Sequence, residues 1–576
     1  MKKSICKLGL IMVTGALLTA CQSNETSKSV KSENTGVIRT TQFGKVKGKD
    51  EGKVLTWYGI PYGGDVSGTK RWTAPSDPEK WSGTKDTTKA GTVAIQFNNG
   101  KVIGEENALN LDIYRPDNSS KNLPVMVYIH GGNNQTGQSS EISGKSFAEK
   151  YNVIFVSVNY RLGALGFNPL NAIKTGSAEE KSGNYALLDI AKSLDWVREN
   201  ISEFGGDSKN VTLSGFSAGG RDVMASLISP IFKGKYDKAI SFSGGMTTSD
   251  EAASQEVFAQ AIAPLVVEDG IKSTEEEAIQ WLLTDSNDVK DYLQKVDATR
   301  LSKLMGNAMI RMSAFPHLYT DGTVIPKEGF NTSNYNDVPL LNVTGSHEFS
   351  LFSRSDPYFA DALQSGEIDT NSEIKAQYDF VNNYGGQLYN LANVKNSNEK
   401  LKANGYKSPI YSTEIKFGED ESVVGTKMAP LSAFHGVFVP LLDKNSQNYT
   451  TLVGEAYQST GAKALSNDFQ SYIYNFLKNG NPNGNPNGKG LTKWDSWTDS
   501  NKVLTLNATK EEASAEMISQ DMTNSSVIQA IQDDVSIPED IKYILITRVM
   551  NGRWFSYDLD KAYNNLSTFD QVSNGN

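Results

Sequence analysis

Short strands that are apolar along their whole length, with helices between several of them, most restrict what this chain can fold into. The strands are predicted at residues 109–113, 125–129, 153–158, 211–213, 239–242 and 340–343. Residues 185–204 carry apolar side chains close to the 3.6-residue period of an amphipathic helix. Strands without a polar face must be covered on both sides. The pattern therefore predicts an α/β fold with a mostly parallel central sheet and helices on both faces.

Residues 250–315 interrupt this alternation. Four short amphipathic helices are predicted there, at residues 256–267, 275–283, 289–296 and 301–312. We therefore expect a helical insertion at about 246–335 that lies over the sheet, where a lid or a substrate pocket would be.

The first 20 residues have the pattern of an export signal. Lys2, Lys3 and Lys7 precede an apolar stretch, Leu8–Leu18, that is too short to cross a bilayer as a stable helix. The sequence Leu-Thr-Ala-Cys that ends at Cys21 resembles the bacterial lipobox. A plain secretory peptide is the alternative.

The lipobox pattern predicts a lipoprotein whose mature chain begins at Cys21, acylated for example with palmitate. Residues 21–36 are almost entirely polar and predict a flexible tether, and residues 37–576 form the globular domain. We expect the lipid to hold this exported protein at the bacterial cell membrane, on its extracytoplasmic face.

Charge and cysteine content narrow the range of partners. Removal of residues 1–20 takes away three lysines and changes the formal net charge from −10 to −13. An acidic chain without a basic stripe argues against nucleic acid as a partner. Cys6 lies in the segment that would be removed, so no disulfide can form within the mature chain.

Residues 215–219, Gly-Phe-Ser-Ala-Gly, directly follow the predicted strand at 211–213. They match G-x-S-x-G, in which glycines permit a sharp strand-to-helix turn that lifts a serine hydroxyl clear of the sheet. Ser217 is therefore the candidate nucleophile. An ordinary glycine-rich turn is the alternative.

A serine hydroxyl needs a base, and the chain has four histidines: His130, His317, His347 and His435. In hydrolases with this strand–turn–helix arrangement, the acid follows the nucleophile and the base comes last. That order leaves His317, His347 and His435, and a base on a late loop favours His435.

The acid should follow a strand between the nucleophile and the base. Glu348 comes shortly after the strand at 340–343. Asp321 and Asp337 are the competitors. Asp321 is followed by Gly322, and an Asp-Gly pair is typical of a tight turn. Asp337 precedes the strand rather than following it.

An oxyanion also needs donors. The predicted strand at 125–129 runs into His130-Gly-Gly-Asn133, the type of loop that presents backbone N–H groups beside a nucleophile. We expect the donors to be the N–H groups of Gly132, Asn133 and Ala218. His130 is expected to brace the loop.

The chain also resembles the type-B carboxylesterases of the α/β-hydrolase fold, a family that includes para-nitrobenzyl esterases and cholinesterases. The resemblance extends over nearly all of the chain from about residue 37. It is carried, in the family's order, by residues 58–62, 71–75, 109–116, 159–167, 183–189 and 204–207, all ahead of the serine turn. It implies a triad of Ser217, Glu348 and His435 and requires no metal or organic cofactor.

The chain departs from the family at several positions. Ala94 and Ala108 stand where a disulfide usually forms, and His347 replaces an aspartate beside the acid. Phe216 replaces the glutamate before the nucleophile, which disfavours cationic, choline-like alcohols. Asn133 replaces the third small residue of the oxyanion loop and predicts a tighter pocket.

Together these observations predict a serine carboxylic-ester hydrolase that acts through an acyl-enzyme on small uncharged esters. A tannin- or feruloyl-type esterase, a lipase or an amidase with the same chemistry is an alternative, as is a catalytically silent surface-binding homologue. The expected partners are a small ester and, through the lipid on Cys21, a membrane. Nothing in the composition indicates an oligomeric state.

Overall fold

A mixed sheet of eleven strands forms the centre of the computed structural model, which describes residues 35–306, 308–484 and 490–566. The strands of the described residues are β1 Ile38–Thr41, β2 Gly44–Lys47, β3 Lys49–Asp50, β4 Val54–Pro61, β5 Thr84–Asp86, β6 Gln96–Asn98, β7 Lys101–Ile103, β8 Asn110–Pro116, β9 Leu123–Ile129, β10 Ile154–Val158, β11 Gly206–Phe216, β12 Lys238–Phe242, β13 Leu340–Gly345, β14 Ile410–Ile415, β15 Lys502–Ala508 and β16 Ala513–Ser519. The large sheet has the order β16-β15-β14-β13-β12-β11-β9-β10-β8-β4-β3.

Most of this sheet is parallel. The seven strands from β15 to β10 in that order pair in parallel, and antiparallel strands flank them on both sides. The α/β architecture expected from the sequence is therefore confirmed. Each of the six predicted strands corresponds to an observed strand with ends shifted by up to five residues.

The helices connect the strands and cover both faces of the sheet. Those of the described residues are α1 Lys145–Tyr151, α2 Gly163–Gly166, α3 Tyr185–Asn200, α4 Ala218–Ile228, α5 Glu251–Glu268, α6 Glu275–Leu282, α7 Asn287–Lys295, α8 Ala298–Leu301, α9 Ser350–Arg354, α10 Pro357–Ser365, α11 Glu367–Thr370, α12 Ser372–Leu391, α13 Ser397–Ala403, α14 Glu421–Val424, α15 Val439–Leu442, α16 Gln447–Val453, α17 Thr460–Asn479, α18 Trp497–Ser500, α19 Asn524–Asp533, α20 Glu539–Ile544 and α21 Tyr557–Ala562. Two π-helical segments, Ala392–Asn396 and Leu545–Met550, extend α12 and α20.

Two apolar cores lie on opposite faces of the sheet, as successive residues of β9 show. Val125, Val127 and Ile129 belong to one core, which includes side chains of α3, α4 and α5. Met126 and Tyr128 belong to the other, which includes side chains of α1 and α17. Because all five side chains are completely buried, β9 needs apolar residues at every position. A third apolar cluster is formed around α10, α12 and α19.

Helices α5 to α8 occupy the region in which four helices were expected. Each begins after a side chain that accepts a hydrogen bond from a backbone N–H of the first turn. The prediction of a helix at residues 301–312 is wrong. Here α8 ends at Leu301, and Met305, Met309 and Ile310 have positive φ angles that a right-handed helix excludes.

Long-range contacts explain why this segment is not helical. The backbone N–H of Met312 donates to the carbonyl of Gly552 at 2.9 Å, and the Arg311 side chain donates to the carbonyl of Arg548. The segment therefore pairs with a part of the chain some 240 residues later, and this pairing overrides its local periodicity.

Among the described residues, no helix is both long enough and apolar enough to cross a bilayer. The expected signal peptide, Cys21 and nearly all of the expected tether fall in residues 1–34, outside the described residues.

The order of the strands determines where a site can form. From β9 the chain passes to β10 on one side of β9, and β11 then pairs on its other side. Ligands of parallel sheets bind at such a reversal, at the carboxyl ends of the strands. The loop after β9 and the turn after β11 are therefore neighbours at this edge.

Candidate active site

Ser217 lies on a strained turn between β11 and α4. Its φ and ψ angles are 57° and −116°, a conformation that a residue with a side chain rarely adopts. The flanking glycines allow the close packing of this turn. A Cβ on Gly215 would lie 2.2 Å from the carbonyl oxygen of Gly219, and a Cβ on Gly219 would lie 2.3 Å from that of Ile129. The G-x-S-x-G sequence thus forms the turn that was expected from it.

Glu348 lies just after β13 and is completely buried. Its Oε1 accepts hydrogen bonds from the Ser243 hydroxyl at 2.6 Å, the Thr344 hydroxyl at 3.0 Å and the Gly345 N–H at 2.6 Å. Three donors on one oxygen fix the carboxylate in a single orientation. The second oxygen, Oε2, is thereby directed at His435.

His435 contacts Glu348 directly. Its Nδ1 donates to Glu348 Oε2 at 2.6 Å, and the hydroxyl oxygen of Tyr389 lies 3.4 Å from the same nitrogen. The imidazole packs against the rings of Phe216 and Phe352, with centroid distances of 4.8 and 5.0 Å. Because Nδ1 carries the proton, Nε2 is the basic nitrogen.

The Nε2 atom of His435 is buried and has no hydrogen-bond partner within the described part of the chain. A hydrogen bond from Ser217 to this nitrogen is therefore not formed in this state. Such bonds are commonly long before substrate binds and shorten in the reacting complex. Phe216, the residue before Ser217, contacts the same imidazole, so the serine turn and the histidine are direct neighbours.

The other histidines have different surroundings. His347 is about one-third exposed, and its Nδ1 lies 2.9 Å from the Ser346 hydroxyl and 3.5 Å from Glu419. His317 is completely buried between aromatic rings, and burial holds its pKa well below the usual range. Of the three histidines after Ser217, only His435 is hydrogen-bonded to one of the three candidate acids, Glu348, Asp321 and Asp337.

The competing acids have structural partners. Asp321 accepts backbone N–H groups of residues 323–325 and closes a turn. Asp337 accepts the N–H groups of Lys407 and Ser408. The geometry therefore favours Glu348.

The loop after β9 lies against Ser217. A Cβ on Gly131 would be 3.1 Å from Cβ of Ser217, so only glycine fits there without displacement. Gly132 and Asn133 have φ angles of 98° and 55°. Among the described residues, their N–H groups and that of Ala218 have no acceptor. These are the three donors that the sequence predicted.

His130 contributes to the shape of this loop. Its Nδ1 donates to the carbonyl of Gly131 at 2.9 Å, and its ring stacks on Tyr160 at 4.6 Å. Burial lowers the pKa of His130 to about 4, so the ring is neutral near pH 7. These contacts match the bracing role expected for it.

Sequence reasoning missed several side chains around the site. Ser243 follows β12 directly and Thr344 lies near the end of β13, so a search of strand ends would have found both. Glu141 gave no such signal. Its Oε2 accepts the Gly131 N–H at 3.1 Å and the Tyr128 hydroxyl at 2.7 Å, and burial raises its pKa.

Within residues 35–306, 308–484 and 490–566, no group of three or more His, Cys, Asp or Glu side chains is arranged to hold a metal ion.

A serine on a strand–helix turn, followed in chain order by an acid and a histidine at the same edge of a parallel sheet, defines a serine hydrolase of the α/β-hydrolase fold. The model of the carboxylesterase family matches residues 35–402, and the chain belongs to this family. The resemblance noted from the sequence is thereby confirmed.

Individual relatives agree with this assignment. The chain is 31% identical to the para-nitrobenzyl esterase of Bacillus subtilis (strain 168), over 78% of this chain and 91% of that protein. It is 27% identical to carboxylesterase 3 of Homo sapiens, over 87% of this chain and 91% of that protein. A solved structure of a PNB esterase superposes with a TM-score of 0.63 at 28% identity, covering 84% of this chain and 98% of that one.

Proposed function

We propose that this carboxylesterase-family protein hydrolyses small uncharged carboxylic esters through an acyl-enzyme formed on Ser217. The observation that carries the proposal is the buried, hydrogen-bonded pair of Glu348 and His435. Among the described residues, Nε2 of His435 has no hydrogen-bond partner. The His435 ring packs against Phe216, the residue before Ser217. A serine, an imidazole and a carboxylate in this order supply the nucleophile, the base and the group that orients the base.

In the proposed reaction, Nε2 of His435 takes the proton of Ser217 as Oγ attacks the ester carbon. The N–H groups of Gly132, Asn133 and Ala218, which have no acceptor among the described residues, stabilise the oxyanion. His435 then returns the proton to the leaving alcohol, which leaves an acyl ester on Ser217. In the second half of the reaction, His435 takes a proton from a water molecule as the water attacks the acyl ester. The proton then returns to Oγ of Ser217, and the carboxylic acid is released. Glu348 keeps the proton on Nδ1 and stabilises the imidazolium.

The surroundings of His435 support an apolar, uncharged alcohol or acyl group. Phe216 and Phe352 contact the imidazole, and Tyr389 packs against Trp554 at 5.2 Å and Phe555 at 4.8 Å. Position 216 carries no carboxylate that could attract an ammonium group, so choline esters are expected to be poor substrates. A tannin- or feruloyl-type esterase or a lipase with the same triad would differ in the preferred acyl and alcohol groups.

Two measurements test the proposal. Rapid mixing with 4-nitrophenyl acetate should give a burst of nitrophenol when deacylation is slower than acylation, and an organophosphonate should label Ser217 and no other serine by mass spectrometry. A profile over acyl lengths and alcohol types then separates small-ester hydrolysis from the alternatives. A folded protein that is neither labelled nor active would be a catalytically silent homologue.

We further propose that the protein is held at the extracytoplasmic face of the bacterial membrane by a lipid on Cys21. The lipobox-like sequence before Cys21 supports this proposal. Metabolic labelling with an alkynyl fatty acid should modify the wild type and a Cys6→Ala control but not Cys21→Ala. A mature N-terminus at another residue, without lipid, would contradict it.

A further inference from the structure

A buried positive charge lies one helical turn from the nucleophile. Arg221 belongs to the first turn of α4, and its backbone N–H donates to the carbonyl of Ser217 at 2.9 Å. Four residues of helix separate the two Cα atoms by about 6 Å along the axis. Its side chain is 2% exposed, and burial lowers its pKa. A guanidinium at this depth needs compensation for the water that it has lost.

The other buried arginines of the described residues have such compensation. Arg71, Arg161 and Arg553 each form an ion pair with a carboxylate, and Arg115 donates to backbone carbonyls. Arg221 is different. Within the described part of the chain, no carboxylate lies within ion-pair distance of its guanidinium.

Among the described residues, its two hydrogen bonds go to uncharged acceptors. Nη2 donates to the amide oxygen of Asn133 at 2.8 Å, and Nη1 approaches the thioether sulfur of Met312 at 3.4 Å. A guanidinium has five N–H donors. Three of them are therefore left without an acceptor in the described chain.

The adjacent Asp222 attracts Arg221 electrostatically, but among the described residues the two side chains form no ion pair or hydrogen bond. Oδ1 of Asp222 accepts from the Asn134 side chain at 2.9 Å, and its Oδ2 is buried without a partner. Burial raises the pKa of Asp222 to about 7, which disfavours the ionised form of this carboxyl.

The contacts of Arg221 place its guanidinium beside the reacting groups. Asn133 belongs to the oxyanion loop, and the guanidinium carbon lies 6.0 Å from the centre of the Trp554 ring. Trp554 packs on Tyr389, whose hydroxyl oxygen is 3.4 Å from Nδ1 of His435. The guanidinium therefore lies near both the oxyanion loop and the aromatic side chains around His435.

We propose that Arg221 is a binding subsite for a carboxylate carried by the substrate, on either its acyl or its alcohol part. The inference rests on the proposed esterase function and extends it. Uncharged esters are hydrolysed. An ester whose carboxylate reaches the guanidinium of Arg221 gains a charge-assisted hydrogen bond in addition. The substrate then provides a carboxylate in direct contact with the guanidinium, which no described residue supplies.

The test compares matched anionic and neutral esters on the same enzyme preparation. The acyl series is ethyl hydrogen succinate, glutarate and adipate against ethyl butanoate, pentanoate and hexanoate, followed in a pH-stat. The alcohol pair is 4-acetoxybenzoate against 4-acetoxybenzamide. At least one anionic ester should have a higher kcat/KM than its neutral counterpart. Because each comparison is a ratio within one preparation, a loss of folded protein cancels.

Arg221→Met should lower that anionic-to-neutral ratio by about tenfold or more, the effect of losing a hydrogen bond between charged groups. Arg221→Lys keeps the charge and should retain part of the preference. Arg198→Met, which removes an arginine paired with Asp237, should leave the ratio unchanged. The proposal is wrong if no anionic ester is preferred, or if Arg221→Met leaves the preference intact.

A binding measurement covers the case in which Arg221→Met does not fold. Ser217→Ala cannot turn over the esters, so calorimetry on it should show tighter binding of the preferred anionic ester than of its neutral counterpart. Equal or weaker binding would overturn the proposal. If the wild type hydrolyses none of the esters but Ser217→Ala still binds the anion selectively, the esterase function fails and the subsite stands.

Discussion

Replacing Glu348 with glutamine tests the proposed triad most directly. The structure determines how the new amide must be oriented. Its oxygen has to occupy the Oε1 position, because the backbone N–H of Gly345 lies 2.6 Å away and can only donate. Its NH2 group then faces Nδ1 of His435, where Oε2 now accepts a hydrogen bond. Nδ1 must become an acceptor, and the proton moves to Nε2.

This tautomer has no basic nitrogen toward Ser217. To act as a base, His435 must move its proton back to Nδ1, where it faces another donor. A buried donor without an acceptor costs about 1–3 kcal/mol, and the lost hydrogen bond to the charged imidazolium costs about another 1.5–3 kcal/mol. Their sum corresponds to a decrease of about 10²- to 10⁴-fold in rate. A wrong tautomer lowers kcat by about 10⁴-fold in Ser-His-Asp enzymes, so we expect the upper part of this range.

Steady-state hydrolysis of 4-nitrophenyl butyrate measures the effect, with thermal unfolding to show that the variant is folded. Glu419→Gln is the matched control, since Glu419 contacts Ser346 and His347 at the surface of the same region. Its rate should stay within about threefold of the wild type. A Glu348→Gln enzyme that keeps more than a tenth of the wild-type kcat would refute the reasoning.

Three further changes test the remaining parts of the site. Ser217→Ala should lower ester hydrolysis by about 10⁴-fold or more, because triad members act as a unit, and a few per cent of residual activity would contradict the role of the serine. His435→Ala should be as severe as Ser217→Ala, whereas His347→Ala should change kcat only slightly; the reverse ranking in the same assay would identify His347 as the base. Phe216→Glu should raise the rate on butyrylcholine relative to 4-nitrophenyl butyrate, since it adds a carboxylate beside the imidazole. A wild type that already prefers the choline ester would show that Phe216 has been misinterpreted.

Sequence reasoning found the central groups of the site because its rules concern strand ends. In a parallel sheet, the segments after β9, β11 and β13 must converge at one edge, so Ser217 and Glu348 could be placed together without coordinates. Chain order left three histidines, of which a position on a late loop favoured His435. The contact between Glu348 and His435 is a property of the fold as a whole, and the sequence alone left the competing acids and histidines open.

Other features depend on contacts that no local pattern encodes. Tyr389 reaches His435 from α12, and Glu141 supports the oxyanion loop from ten residues further along the chain. The segment at 301–312 has helical periodicity but is held in turns by the C-terminal region. The lipid on Cys21 remains a prediction, because it concerns residues outside those described.

The strained turn at Ser217 has a consequence for engineering. Its backbone conformation costs about 1–3 kcal/mol, and a residue without a side chain would adopt it freely. Ser217→Gly should therefore raise the melting temperature while removing the nucleophile. A screen that rewards heat resistance alone would favour an inert enzyme at this position, so any thermostabilisation of this protein has to select for turnover at the same time.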